Sequence, residues 1–338
     1  MQYVDYKAFI EENFTLVNKE GEVIPFIFND TQNFVYRELE KDYPDFKGIR
    51  ENWLKARQWG GSTMVAGFFM TDFILSEIGQ MPLTDSVIYS HKDEETYVHF
   101  ARCSHFLNSW LIKNFQTDDP QDLSKLRKMY LRSDELGQKM EGNKGSILST
   151  ATANAKTSGR GGTKQNLLFT EIAFYPNTEV MNAKKLVTGA EKQVLPGTGK
   201  IFRESSGNLT GDYWQVEYDN GKLPGARYKS RFFSWWLHKE YSTEPPPNWI
   251  VPKYYNKIMV EYGVTKAQCY WHHLATRNPK NHEEFDLDEL REYPTYDTEA
   301  FLLGGDPYFN KEALMYYQSL IKKPLIVGAN LKDIYGRI

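Results

Sequence analysis

The stretch of the chain best suited to chemistry spans residues 55–63, with the sequence Lys-Ala-Arg-Gln-Trp-Gly-Gly-Ser-Thr. An extended segment, a glycine turn and hydroxyl residues that open a helix are the usual setting of a phosphate-binding loop, where backbone N–H groups face an anion. The common pattern is G-x-x-x-x-G-K-[S/T]. Here Gly61 stands in the lysine position and Lys55 in the position of the first glycine. The sequence therefore predicts a variant phosphate loop whose cation has moved to the front, although ordinary strand-to-helix turns also contain Gly-Gly.

A second candidate group is the acid that ends the apolar run Asn-Leu-Leu-Phe-Thr at residues 166–170. Glu171 follows this run directly, and a carboxylate at the end of a parallel strand beside a phosphate loop can orient and deprotonate an attacking water. Thr170 stands where such sites usually carry an aspartate, and its hydroxyl could hold a metal-bound water. The alternative is that Glu171 is a surface acid at the end of a strand.

Three further polar groups could complete the site. Arg160 lies in the glycine-rich segment at residues 158–163, and Gln32 lies at the start of a predicted helix, where its paired donor and acceptor could bind an adenine edge. A small polar tetrapeptide at a strand end could sense a γ-phosphate or the catalytic water: Ser205, Ser206, Gly207 and Asn208. Two of the three have an ordinary alternative, namely a surface glutamine for Gln32 and a plain turn for the tetrapeptide.

The elements that must position these residues alternate between apolar strands and amphipathic helices five or six times. This alternation predicts an α/β fold with a mostly parallel central sheet and helices on both faces. Ligands of such sheets bind at the carboxyl ends of the strands, where residues 55–62, Arg160, Glu171 and residues 205–208 fall. A proline-rich boundary at residues 244–247 precedes a mainly helical region. We therefore expect a core at residues 1–245 and a smaller unit at 246–325.

Composition narrows the function classes. The 338 residues carry a formal net charge of −3, which argues against wholesale coating of nucleic acid but leaves room for a local basic patch. Cys103 and Cys269 are far apart and lack metal-type spacing, so buried thiols in a reduced compartment are expected. No apolar run reaches membrane-spanning length, and the N-terminus lacks a signal pattern. A cytoplasmic protein is expected.

Several motifs in order along the chain match one known family. They are Phe28-Asn29-Asp30-Thr31-Gln32, residues 55–63, the strand ending at His91, Gly159-Arg160-Gly161, Thr170-Glu171-Ile172-Ala173-Phe174, Glu204-Ser205-Ser206-Gly207-Asn208, Glu292-Tyr293-Pro294 and Glu299-Ala300-Phe301. With these motifs the chain resembles the ATPase domain of the large terminase subunit of tailed bacteriophages. The resemblance implies a P-loop NTPase of the ASCE type with a small helical lid subdomain at residues 246–325. It also implies an ATP-hydrolysing motor that translocates double-stranded DNA into a procapsid.

The resemblance also implies roles for individual residues. Glu171 is the expected catalytic glutamate, and Arg160 is the expected arginine finger, acting in cis or in trans. Ser62 is the expected Mg²⁺ ligand, with Thr170 contributing through a water. Gln32 is the expected adenine reader, and residues 205–208 form the expected coupling motif. The expected ATP-binding residues of the loop are Lys55, Ala56, Arg57, Gln58, Trp59, Gly60, Gly61, Ser62 and Thr63.

Two departures from the family qualify these expectations. With Gly61 in the lysine position, either Lys55 or Arg57 must provide the phosphate cation. The large subunits also carry a nuclease domain, and residues 326–338 match only the start of a linker toward it. We therefore expect the nuclease to be absent from this chain, through truncation or a split subunit, and expect no DNA cleavage by this chain alone.

The expected partners are double-stranded DNA, the phage portal protein and the small terminase subunit, in the host cytoplasm and without a membrane. The chain is expected to form a homo-oligomeric ring on the portal and to be monomeric when isolated. Two other functions stay open: a catalytically weak DNA-binding or capsid-docking subunit, and a helicase-like P-loop remodeller. Glu171 and Arg160 argue against the first, because a decayed site needs neither. The segments at residues 292–294 and 299–301 argue against the second.

Overall fold

One eight-stranded sheet runs through the described part of the chain, which in this computed structural model comprises residues 4–135, 138–153, 162–178, 182–278 and 284–301. A small antiparallel hairpin of β1 (Thr15–Val17) and β2 (Val23–Pro25) lies outside it. The strands of the large sheet are β3 (Arg50–Lys55), β4 (Asp85–Ser90), β5 (Leu131–Glu135), β6 (Lys139–Gly142), β7 (Ile147–Thr152), β8 (Asn166–Thr170), β9 (Lys200–Ser205) and β10 (Lys229–Phe233).

The spatial order of the sheet is β10-β3-β9-β8-β4-β7-β6-β5. The first six strands in this order are mutually parallel, whereas β6 and β5 extend the sheet as an antiparallel hairpin. One strand, β9, separates the strand before the loop from the strand before Glu171. The predicted α/β fold with a mostly parallel central sheet is confirmed.

Helices cover both faces of this sheet, as a parallel sheet requires. The α-helices of the described residues are α1 (Tyr6–Asn13), α2 (Asp30–Asp42), α3 (Gly61–Glu77), α4 (Asp93–Phe115), α5 (Pro120–Tyr130), α6 (Ala183–Glu191), α7 (Tyr213–Asn220), α8 (Asn256–Tyr262), α9 (Lys266–Thr276) and α10 (Leu287–Glu292). Short 3₁₀ helices span Ile172–Phe174, Trp235–Leu237, Lys253–Tyr255 and Asp297–Phe301. Over the described residues, no helix is both long enough and apolar enough to cross a bilayer.

Helix α3 is the central element of one apolar layer. It is buried on nearly every side, and it packs with α1, α2 and α4 into one large core. A helix that is apolar all round is stable only when other elements surround it. Helices α6 and α7 form the core of the opposite face. Because α3 begins directly after the loop, its burial fixes the position of the loop at the carboxyl edge of the sheet.

The region after the proline-rich boundary is helical in its described part. Helices α8 and α9 bury Ile258 and Cys269 against Trp235 and Tyr241, and the same cluster includes Ala56 of the loop. The two cysteines, Cys103 and Cys269, are both free and buried. The helices that follow the boundary therefore pack against the loop.

Candidate functional site

The predicted phosphate loop connects the end of β3 to the start of α3. Gln58 and Gly60 adopt left-handed backbone conformations, with φ of 60° and 85°. A Cβ atom on Gly60 would lie 2.7 Å from Nε2 of Gln32, and one on Gly61 would lie 2.3 Å from the Trp59 ring. The double glycine is thus required by the tightness of the turn. No side chain caps α3, so the N–H groups of its first turn are suited to an anionic ligand.

Gln32 braces this loop from α2. Its Oε1 accepts from the Asn29 backbone N–H at 3.0 Å in a capping box, and its Nε2 donates to the Gly60 carbonyl at 3.0 Å. The predicted adenine reader therefore lies beside the loop and holds it by hydrogen bonds. Its role toward adenine stays a prediction.

Lys55 and Glu171 form the charged centre of the site. The Lys55 Nζ lies 2.8 Å from Oε1 of Glu171, at the ends of two strands with β9 between them. Burial would lower the pKa of Lys55, but the carboxylates of Glu171 and Glu204 raise it above the ordinary value. Burial would raise the pKa of Glu171, but the Lys55 ammonium keeps it below the ordinary value. The cation at the front of the loop thus faces the predicted water-activating carboxylate, and both groups are charged at neutral pH.

The backbone of Glu171 is also unusual. Its φ of 50° lies in the left-handed region, which non-glycine residues rarely adopt. The residue caps the 3₁₀ helix Ile172–Phe174 and turns the chain sharply after β8. Its Oε2 accepts from Ser205 Oγ at 3.3 Å, and a backbone hydrogen bond from Ser206 also reaches the carboxylate. Strain at this position is compensated by contacts from the coupling segment, residues 205–208.

Glu204 is a site residue to which the sequence analysis assigned no role. It is the penultimate residue of β9, is fully buried, and accepts a hydrogen bond from Ser62 Oγ through Oε1. Its second oxygen, Oε2, is buried and has no hydrogen-bond partner among the described residues. Burial raises the pKa of Glu204, although the Lys55 ammonium opposes this shift. The signal that singled out Glu171, an acid at the end of a buried parallel strand, would have found Glu204 as well.

The coupling segment connects the site to the end of the described chain. Asn208 Nδ2 donates to the Ala173 carbonyl at 3.1 Å. A Cβ atom on Gly207 would lie 1.6 Å from the Ala300 carbonyl oxygen, so only glycine fits there. Residues 205–208 are therefore held between Glu171 on one side and the Asp297–Phe301 helix on the other.

The side chains of Arg57 and Thr170 contact other partners. Arg57 is largely exposed and its Nε lies 2.8 Å from Oε2 of Glu292, so it links the loop to α10. The Thr170 hydroxyl lies 3.4 Å from Nε2 of His99, whose Nδ1 accepts from Arg102 at 2.9 Å. Burial lowers the pKa of His99 to about 3, so this neutral imidazole donates from Nε2 to Thr170. The Thr170 hydroxyl is thus already engaged with α4.

The remaining predicted residues have simpler environments. Ala56 is buried and donates its N–H to the Phe233 carbonyl at 2.9 Å, and Trp59 packs on Trp53 and Phe233. Thr63 is half-buried in the first turn of α3. Arg160 lies outside the described residues. The structure therefore brings Lys55, Ser62, Glu171 and residues 205–208 together around Glu204. In the part of the chain described, no three His, Cys, Asp or Glu side chains are arranged to hold a metal.

Comparison with known proteins yielded structural matches only. No family model and no curated protein matches the chain. The chain is similar in structure to the Thermus phage P74-26 large terminase ATPase domain, with 11% identity and a TM-score of 0.41 over 72% of this chain and 87% of that one. It is similar to the HK97 bacteriophage large terminase, with 14% identity and a TM-score of 0.49 over 82% of this chain and 49% of that one. A third match is the large terminase of a thermophilic bacteriophage, with 13% identity and a TM-score of 0.39 over 61% of this chain and 46% of that one.

The chain thus spans about half the length of the HK97 protein and of the third match. At these identities and TM-scores, the matches assign no role to any individual residue of this chain.

Proposed function

We propose that this chain is the ATP-hydrolysing motor subunit of a phage large terminase, which moves double-stranded DNA into a procapsid. The observation that carries the proposal is the Lys55–Glu171 pair at the carboxyl ends of parallel strands, directly beside the uncapped N-terminus of α3. A cation, a helix N-terminus and an ionised carboxylate are the groups that phosphoryl transfer to water requires.

The proposed chemistry assigns one task to each group. The triphosphate of ATP binds the first-turn N–H groups of α3, and the Lys55 ammonium exchanges its carboxylate partner for a phosphate oxygen. The freed Glu171 carboxylate then orients the attacking water and accepts its proton. Ser205 holds Glu171 through Oε2 and so couples the state of the carboxylate to residues 205–208. Arg160, acting in cis or in trans, completes the site by stabilising transition-state charge.

The surroundings of Ser62 fit a magnesium ion, because its hydroxyl donates to the buried Glu204, which has one oxygen without a partner in the described part of the chain. Oxygen donors are the ligands that Mg²⁺ prefers, usually together with substrate phosphates. When bound, the ion would neutralise charge on the phosphates. Ser62 is the loop residue proposed to hold it, whereas the Thr170 hydroxyl expected beside it already has His99 as a partner.

The wider assembly belongs to the same proposal. Residues 1–245 form the ATPase core and residues 246–325 a helical lid, with Gln32 at the adenine. The motor works as a homo-oligomeric ring on the portal, together with the small terminase subunit, in the host cytoplasm. ATP is bound between subunits of that ring.

Steady-state ATP hydrolysis with Mg²⁺, with and without double-stranded DNA, tests the proposal. Glu171→Ala is expected to lower turnover by about 10²–10⁴-fold while ATP binding persists, because the glutamate acts on water and not on the nucleotide. Glu12→Ala, which removes an exposed acid on α1, is the matched control and is expected to keep full turnover. Undiminished turnover in Glu171→Ala would remove Glu171 from catalysis. A chain that binds no ATP would contradict the ATPase assignment and favour a docking subunit.

A further inference from the structure

We infer that Glu204, at the end of β9, supplies the carboxylate that holds the magnesium ion of the nucleotide. In P-loop enzymes this ion is held by the hydroxyl of the loop and by an acid on a neighbouring strand. The expected place for that acid is occupied by Thr170, which carries no charge. The inference rests on the proposed function and names a ligand for the same site.

The register of the sheet places Glu204 at the correct level. Thr170 of β8 and Glu204 of β9 are direct partners in the parallel pairing, so their side chains project from the same face of the sheet. Glu204 also lies one strand closer to β3, which leads into the loop. The acid at Glu204 therefore lies level with Thr170 on the same face of the sheet, and it is one strand nearer to the phosphate loop.

Hydrogen bonding distinguishes the two positions further. Ser62, the loop hydroxyl, donates directly to Oε1 of Glu204. Among the residues that the structure describes, Oε2 of Glu204 has no hydrogen-bond partner although the residue is fully buried, and burying a carboxyl oxygen without a partner is unfavourable. The Thr170 hydroxyl, in contrast, is occupied by His99. The free oxygen that a cation needs is on Glu204.

The Lys55–Glu171 pair supports this division of labour between the two acids. Glu171 is engaged by Lys55 and Ser205, on the side where water must be activated. Glu204 is engaged by Ser62, the predicted metal ligand of the loop. Each carboxylate is thus connected to a different part of the reaction.

Nucleotide binding in the presence and absence of metal tests the inference without any need for turnover. Binding of a non-hydrolysable ATP analogue to the full chain is measured by calorimetry in EDTA and in excess Mg²⁺. Mn²⁺ binding to the complex is followed by loss of the free-ion electron paramagnetic resonance signal. Wild type is expected to bind the analogue more tightly with Mg²⁺ than in EDTA. Glu204→Gln is expected to keep the affinity measured in EDTA and to bind Mn²⁺ about 10–100-fold more weakly.

Thr170→Val is the matched comparison, because it removes the competing ligand from the neighbouring strand, and it is expected to keep the metal enhancement. If Glu204→Gln fails to fold by circular dichroism, Glu204→Asp, which shortens the ligand and keeps its charge, is expected to weaken Mn²⁺ binding. Full metal enhancement in a folded Glu204 variant would overturn the inference while the proposed function stands. Loss in Thr170→Val alone would return the role to Thr170. A wild type that binds no nucleotide in either buffer would overturn the proposed function and this inference together.

Discussion

Two lysine–carboxylate pairs lie at opposite ends of the same sheet. At the carboxyl ends of the strands, Lys55 Nζ lies 2.8 Å from Glu171, whose side chain is 28% exposed. At the amino ends, Lys200 Nζ lies 2.6 Å from Asp72 of α3, whose side chain is 0% exposed. The two pairs have the same chemistry and similar distances, but only the first lies beside the loop.

The hydrogen-bond partners around the two pairs explain why their roles differ. Both oxygens of Asp72 are fully used, because Tyr6 donates to Oδ1 at 2.6 Å and Asn166 donates to Oδ2 at 2.8 Å. At the other pair, the adjacent Glu204 has one oxygen that no described residue contacts by a hydrogen bond, and Glu171 has a left-handed backbone. A buried pair with every partner present stabilises a fold, whereas a pair with an unfilled neighbour is suited to exchange partners with a ligand.

The largest effect on stability is expected when the Lys200–Asp72 pair is broken. Asp72→Asn leaves the Lys200 ammonium buried without a countercharge, so the free energy of unfolding should fall by roughly 3–5 kcal/mol. Denaturant unfolding measures this loss. The double variant Asp72→Asn/Lys200→Met removes both charges and should recover part of it. If Asp72→Asn is as stable as wild type, the Lys200–Asp72 pair contributes no more to the stability of the fold than the Lys55–Glu171 pair does.

Lys55→Met tests the Lys55–Glu171 pair. It should affect ATP binding more than stability. Loss of a charge-assisted contact to phosphate should weaken ATP binding by about 10–100-fold. Stability should change less than in Asp72→Asn, because the freed Glu171 is partly exposed and keeps Ser205 as a donor. Calorimetric titration and denaturant unfolding of the same preparation separate the two quantities. If Lys55→Met loses stability but keeps its affinity for ATP, the Lys55–Glu171 pair stabilises the fold and does not bind the nucleotide.

Arg57→Ala should have the smallest effect. Arg57 is 59% exposed and its pair with Glu292 lies on the surface, where such pairs contribute about 0.2–1 kcal/mol. ATP affinity should stay within about fivefold of wild type in the same titration. If Arg57→Ala weakens ATP binding more than Lys55→Met does, Arg57 and not Lys55 is the cation of the loop.

Local sequence pattern was enough to predict most of the central sheet. The apolar runs before Glu171 and Ser205 are strands, and the loop lies between β3 and α3, because alternating strands and helices leave few other arrangements. The hairpin of β5 and β6 and helix α7 were not predicted. The hairpin lies in a polar stretch, where its edge position, not its composition, decides its structure.

The site was harder to predict than the fold, because its contacts join residues far apart in sequence. Glu204 meets Ser62 only after β9 has been inserted beside β3, and Thr170 meets His99 only after α4 has packed on the sheet. No local pattern shows that the Thr170 hydroxyl is already occupied or that Glu204 has a free oxygen. Residue types indicated the chemistry, whereas strand order determined which acid faces the loop.

The position of β3 between β9 and β10 also affects how the chain folds. Leu54 pairs with Ser205 on one side, and Lys55 pairs with Phe233 on the other. During synthesis, the strand that carries the loop therefore has both edges open until residues far downstream have left the ribosome. Such non-local pairing slows folding and exposes apolar strand edges to association with other chains. The predicted phosphate loop is therefore expected to be among the last parts of the protein to take shape.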